Sequence, residues 1–300
     1  MDASVPPLPQ RQTESVATRD GLRLAVETYR ADGAPTLLFA HGFGQTRGAW
    51  GGAAAALAAQ GYHCISFDAR GHGESGRVPN GDYHMQQFAD DLLALARAQS
   101  EPSVLVGASM GGLLGLVAAG ENHPSPFRAL VLVDITPRWE SRGVERILAF
   151  MQAHPDGFAD YAEAAEQIAA YLPHRPGRKS EEQLRPLMRT GEDGRLRWHW
   201  DPALLAGGLV AESERYQPRL FAAAARVDVP VLLLSGERSD VVSQSTVAEF
   251  LQLVPHARHV EVAGATHMLA GDANDAFTRE IAQFIQSLDG TLARPGAHIA

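Results

Sequence analysis

Residues 104–114 read VLVGASMGGLL, and within them Gly107, Ala108, Ser109, Met110 and Gly111 place one serine between two glycines, each two residues away. The run 104–106 is apolar, as a buried strand requires, and residues 113–119 are compatible with a helix. A strand, a sharp turn and a helix in that order aim the Ser109 hydroxyl out of the fold. The flanking glycines let strand and helix close on each other, because neither puts a side chain at the crossing. The helix beginning near Gly111 then points its free N–H groups, and its positive dipole end, at charge developing beside Ser109.

Outward from this stretch, further short apolar runs at 36–40, 62–67, 103–106, 129–133, 231–234 and 259–262 alternate with helix-length segments. Runs without a polar alternation fit strands covered on both faces, so the reading is an α/β fold with a mainly parallel central sheet flanked by helices. The Asp20-Gly21 pair between alternating apolar residues predicts a hairpin over 16–29. Helices are expected over 53–60, stopped by Gly61, over 84–99, and near the end through Phe277, Ile281, Phe284, Ile285 and Leu288. The first 14 residues read as a flexible lead and 290–300 as a loose tail. One interval breaks the alternation. Residues 138–217 hold no strand-like run but have helical patterning at 144–152, 158–171 and 181–189. The expected organisation is a core over 1–137, an inserted helical cap over 138–217, a second part of the core over 218–290 and a tail over 291–300.

The chain has 300 residues, 45% hydrophobic and 20% charged, which is enough to bury a large core. A net charge of -9 with scattered arginines argues against a nucleic-acid partner. No window approaches the roughly 18 apolar residues of a membrane span, and the proline-bearing N-terminus lacks the form of a secretory signal, so a cytoplasmic location is expected. The single cysteine, Cys64, falls in the run 62–67 and reads as a buried strand thiol.

A serine hydroxyl is a poor nucleophile at neutral pH and needs a histidine base held in one tautomer by a carboxylate. His267 follows the last expected strand in a glycine-bearing loop and is the base candidate. Asp240, in the loop after the run 231–234, is the expected acid, with Glu237 in the same loop and Asp134 at the end of an earlier strand as alternatives. The order serine, acid, histidine matches one of the convergent triad arrangements. Oxyanion donors are expected from the backbone N–H groups of Met110, directly after the serine, and of Phe43, in the loop 41–44. The His41 side chain is expected to brace that loop. Trp198 and Trp200 either supply an aromatic substrate wall or anchor the cap. The histidines are not spaced as zinc ligands, and neither a metal nor an organic cofactor is expected.

With the stretches 41–44, 67–75, 107–111, 236–242 and 264–268 in this order, the sequence resembles the α/β-hydrolase superfamily, in the branch of serine esterases and haloperoxidase-like perhydrolases. The resemblance implies an α/β-hydrolase fold with an inserted cap and gives 68–75 a structural turn near the site. Epoxide hydrolases and haloalkane dehalogenases of this fold carry aspartate where Ser109 stands, so those two activities are not expected. The reaction expected is carboxylic ester hydrolysis through an acyl-enzyme, on a small-molecule ester, with a homodimer left open. Lactone opening, perhydrolysis and carbon–carbon bond hydrolysis use the same triad. A non-catalytic small-molecule receptor of this fold is the alternative outside the enzymes.

Overall fold

The computed structural model describes residues 10–31, 33–172, 177–206, 213–267 and 274–292. Eight strands form one sheet in the order β1-β2-β4-β3-β5-β6-β9-β10. They are β1 (Arg11–Ala17), β2 (Arg23–Tyr29), β3 (Thr36–Ala40), β4 (His63–Phe67), β5 (Ser103–Ala108), β6 (Phe127–Val133), β9 (Val231–Gly236) and β10 (Arg258–Val262). From β4 to β10 every pairing is parallel, and β1 and β2 add an antiparallel hairpin whose turn uses Gly21 at φ 84°. The hairpin and the six apolar runs therefore lie where the sequence pattern puts them. The expected lead is shorter than 14 residues, because Arg11 to Glu14 already pair with β2.

Strand side chains alternate between two cores, as the two-residue period of a strand dictates. Leu37, Phe39, Val104, Val106, Val131 and Val133 face α1 (Gly51–Ala58) and α10 (Asn274–Leu292), the helix that follows α9 (Gln244–Leu253) in the chain. Leu38, Ala40, Leu105, Leu130 and Leu132 face the layer of α2 (Met85–Arg97) and α3 (Met110–Gly120). Cys64 is fully buried in the first of these, where burial pushes its thiol up to about 12. Because β3 sits between β4 and β5, the strand order reverses direction there, and the carboxyl ends of β3 and β5 open a crevice of the kind that binds ligands in such sheets.

β6 and β9 are neighbours in the sheet, yet almost a hundred residues separate them in the chain. The connection runs through α4 (Ser141–Gln152), α5 (Tyr161–Tyr171), α6 (Glu181–Leu184), the strands β7 (Met188–Thr190) and β8 (Leu196–Trp198), α7 (Ala203–Ala206) and α8 (Ser213–Ala224). It is not purely helical. β7 and β8 form an antiparallel pair that replaces the end of the helix expected over 181–189, and Phe158, expected in a helix, instead bridges to Leu196. The helix there begins at Tyr161, where the Asp160 carboxylate caps it by accepting from the Glu163 N–H at 2.9 Å. At the far boundary, α8 runs through residue 217 and lies against α3, where a side chain on Gly120 would collide with the Ala223 carbonyl. The helix α10 reaches Leu292, beyond the start of the expected tail, and 293–300 lie outside the described residues. Among the described residues no helix is long and apolar enough to cross a membrane.

The loop 68–75 after β4 is tied down by ion pairs. Arg70, 2% exposed, donates from Nε and Nη2 to Asp91 of α2 at 2.7 Å each and from Nη1 to Asp20 of the first hairpin at 2.9 Å. A bidentate guanidinium pair satisfies both partners in a way that a single contact would not. Asp91→Ala leaves Arg70 charged, buried and half-paired, so unfolding in urea should show a loss of about 3–5 kcal/mol.

Candidate active site

Ser109 is held at φ 46°, one of two non-glycine residues with positive φ among those described. Such a turn is possible because the backbone on each side is bare. A Cβ on Gly107 would lie 2.6 Å from the Gly111 carbonyl and the Gly112 nitrogen, and one on Gly111 would collide with the Ala40 carbonyl of β3. The Ser109 N–H donates to the Val133 carbonyl at 3.0 Å, which extends the β5–β6 ladder into the turn. Met110 is the first residue of α3, so its N–H is among the amides the helix itself leaves without a carbonyl.

The loop after β3 lies against this serine. A side chain on Gly42 would press on the Ser109 Cβ at 3.3 Å. The Gly42 carbonyl accepts from His41 Nδ1 at 2.8 Å and from the Gln45 N–H at 3.1 Å. A peptide is planar with N–H and C=O opposed, so holding this carbonyl fixes the direction of the Phe43 N–H. His41 braces the loop as expected, since its Nε2 also accepts from the Ala69 N–H at 2.9 Å.

His267 is 6% exposed, and its Nδ1 lies 2.7 Å from Asp134 Oδ2. Asp134 is fully buried at the end of β6 and is the second residue with positive φ, at 52°. Its remaining capacity is filled: Oδ1 accepts from the Gly236 N–H at 2.9 Å and Oδ2 from the Ser239 hydroxyl at 2.7 Å. The Asp134 N–H donates to the Leu234 carbonyl at 2.7 Å, so the carboxylate is set in the sheet ladder as the serine is.

The carboxylate beside His267 is thus Asp134, and not the expected Asp240. Asp240 turns away and pairs with Arg146 of α4 at 3.1 Å, while Arg146 also donates to the Tyr171 carbonyl at 2.6 Å. The backbone at Asp240 is committed to the same task. The Glu140 N–H, just ahead of α4, donates to the Val241 carbonyl at 2.8 Å, and Gly143 lies so close to the Asp240 carbonyl that any side chain there would collide with it. Glu237 is occupied elsewhere, accepting from the Gly264 N–H at 2.6 Å. What separates Asp134 from the other two is its strand: it directly follows β6, which the structure pairs with the serine strand β5.

A cavity of about 130 Å³ opens at Ser109 and His267. Phe43, Met110, Leu113, Ile135, Trp139 and Ile147 contribute to its otherwise apolar lining, to which Tyr216 of α8 adds a phenol. Trp198 and Trp200 are not among the lining residues. They stack on each other at 4.7 Å between centroids and are buried, Trp198 against Phe150 and Phe158, within the packing of the inserted segment. Two histidines that the sequence reading left without a role near the serine, His72 and His199, hold the far end of the 41–44 loop through the backbone of Gly44.

The family model described as the alpha/beta hydrolase fold matches residues 35–273. The chain belongs to this family. Among its relatives, a 2-(acetamidomethylene)succinate hydrolase of Mesorhizobium japonicum is 26% identical over 270 residues, 88% of this chain and 93% of that protein. A 3-hydroxybutyrate-oligomer hydrolase of Cupriavidus necator is 31% identical over 244 residues, covering 77% of this chain and 82% of its own. The crystal structure of an E-2-(acetamidomethylene)succinate hydrolase superposes with a TM-score of 0.77 at 26% identity, covering 92% of this chain and all of that one. Other relatives include a bifunctional esterase/perhydrolase of Acinetobacter calcoaceticus, a 3-oxoadipate enol-lactonase of Acinetobacter baylyi and a putative synthase of Bacillus subtilis.

If the histidine is oriented by Asp134, then Asp134→Asn should lower kcat by about 10⁴ through the wrong imidazole tautomer. Asp240→Asn should keep kcat within about tenfold of wild type, since it removes only a partly exposed ion pair. Steady-state kinetics on one ester compares the two, and the reverse ranking would restore Asp240 as the acid.

Proposed function

We propose that the protein hydrolyses carboxylic esters of short, uncharged acyl groups through an acyl-enzyme formed on Ser109. The observation that carries this reading is the shared cavity: a serine on a positive-φ turn and a histidine bonded to a buried carboxylate open into the same small space. His267 takes the Ser109 proton as the oxygen attacks the acyl carbonyl. Asp134 keeps the imidazole in the Nδ1–H tautomer, which leaves Nε2 as the base, and stabilises the imidazolium that forms. The oxyanion of the tetrahedral intermediate is received by the N–H groups of Phe43 and Met110, both fixed before the reaction. His267 returns the proton to the leaving alcohol. Water, deprotonated by the same histidine, then attacks the acyl-enzyme and releases the acid and Ser109.

The cavity supports the acyl class. Its volume corresponds to about four or five heavy atoms at roughly 30 Å³ each, below the range of pockets for larger ligands. Apart from His267, no ionisable side chain other than the Tyr216 phenol lines it among the described residues, so a second carboxylate on the acyl group would be desolvated without a partner.

Turnover of p-nitrophenyl esters tests both halves of the proposal. Ser109→Ala should lower kcat by a thousandfold or more with the fold retained, and unchanged turnover would remove the mechanism. Among wild-type substrates, kcat/KM should be highest for acetyl to hexanoyl esters and fall for decanoyl and for succinyl half-esters. A preference for the succinyl group would overturn the assignment of an uncharged acyl site.

A further inference from the structure

The loop carrying the Phe43 N–H is framed by three buried histidines, and each joins one backbone N–H to one backbone carbonyl. His41 accepts from the Ala69 N–H and donates to the Gly42 carbonyl. His72 Nε2 accepts from the Gly44 N–H at 3.1 Å, which leaves Nδ1–H to donate to the Arg70 carbonyl at 3.0 Å. His199 Nδ1 accepts from the Gly73 N–H at 2.8 Å, and its Nε2–H donates to the Gly44 carbonyl at 3.1 Å. A ring with one donor and one acceptor in use must be neutral and in a single tautomer. Burial, the largest influence on all three, pushes each imidazole toward that neutral form and takes His199 down to about 3. All six ring nitrogens are thereby engaged with backbone.

His41 and His72 come from the loops after β3 and β4. His199 does not. It follows β8, in the long connection between β6 and β9, and reaches back across the sequence to a glycine adjacent to Phe43. Its neighbours thread the same turn: the Asp201 N–H donates to the Gly71 carbonyl at 2.7 Å, and the Tyr83 hydroxyl donates to the Asp201 carboxylate at 2.7 Å. Gly44 itself sits at φ 77° with Met151 and Trp200 packed over it, so the peptides flanking it are held on both sides and from above.

We infer that His199 is a positioning residue of the oxyanion hole, by which the inserted segment supplies part of the frame that aims the Phe43 N–H. The inference rests on the reading of Ser109 as nucleophile and Phe43 as oxyanion donor. His199 touches neither. His41 holds the Gly42 carbonyl and His72 the Gly44 N–H, one in each of the two peptides that bracket Phe43, and His199 holds the Gly44 carbonyl in the peptide that follows, so the loop cannot relax away from Phe43 through Gly44. An oxyanion donor acts only where it is fixed before charge develops, so loosening this frame should weaken transition-state binding and leave ground-state binding of the ester alone.

The test uses the full chain, p-nitrophenyl acetate and hexanoate, and a fluorophosphonate that labels the serine. His199→Ala should lower kcat by about 100-fold, equally for both esters, with KM within about threefold of wild type and labelling slowed in parallel. His199→Gln, whose amide offers an acceptor and a donor, should recover at least about tenfold of the kcat loss. A rise in KM that grows with acyl length while kcat holds would make His199 a cavity support instead and would overturn the inference. Wild-type kcat in His199→Ala would overturn it too, as would thermal melts in which neither variant folds. Ser109→Ala separates the two levels: if that variant is inactive while His199→Ala is normal, only this inference fails, whereas turnover surviving Ser109→Ala removes the nucleophile reading together with it.

Discussion

Three backbone segments meet at the site with no side chains between them. Gly107 at the end of β5, Gly111 in the first turn of α3 and the Ala40 carbonyl at the end of β3 are packed so closely that a single methyl group at either glycine would intrude on main-chain atoms. That closeness turns Ser109 outward at positive φ, brings the first amides of α3 to the serine and sets the loop 41–44 within reach. The cost of a non-glycine residue in this region, of order 1–3 kcal/mol, is borne by a sheet whose buried strands over-determine the turn. The crevice, the lining of the cavity and the loop 41–44 all inherit their position from it.

The proposed acid is placed by the same device. Ser109 and Asp134 end neighbouring strands, both depart from the sheet at positive φ, and the N–H of each still donates to the next strand along. Their separation is therefore set by the spacing of adjacent strands, about 4.8 Å, and not by the conformation of a loop. The buried Asp134 side chain meets three partners, the Gly236 N–H, the Ser239 hydroxyl and His267 Nδ1. The loop after β9 thus serves the carboxylate without providing it.

Most of the sheet was legible in the sequence because strands buried on both faces leave unbroken apolar runs, and the turn at Ser109 because the glycines that permit it are themselves visible. The acid was not. Asp134, Glu237 and Asp240 each follow a strand, and what distinguishes them is which one His267 reaches, a property of three strands together. The β7–β8 pair was hidden for a similar reason: three-residue strands such as Met188–Thr190 carry too few residues to establish a period. His199 could not be read at all, since its partners Gly44 and Gly73 are backbone groups more than a hundred residues away.

The pairing of Asp240 with Arg146 leaves the fold with a division of labour. The proposed proton relay is built from residues that follow β6 and β10, while the roof of the cavity is fastened through the loop after β9, by a surface ion pair, a backbone hydrogen bond and a bare glycine. One loop thus does two jobs: Gly236 and Ser239 bond the Asp134 carboxylate, and Asp240 and Val241 hold α4. A change of roof is therefore not neutral to the site below it, because the inserted segment also reaches Gly44 through His199.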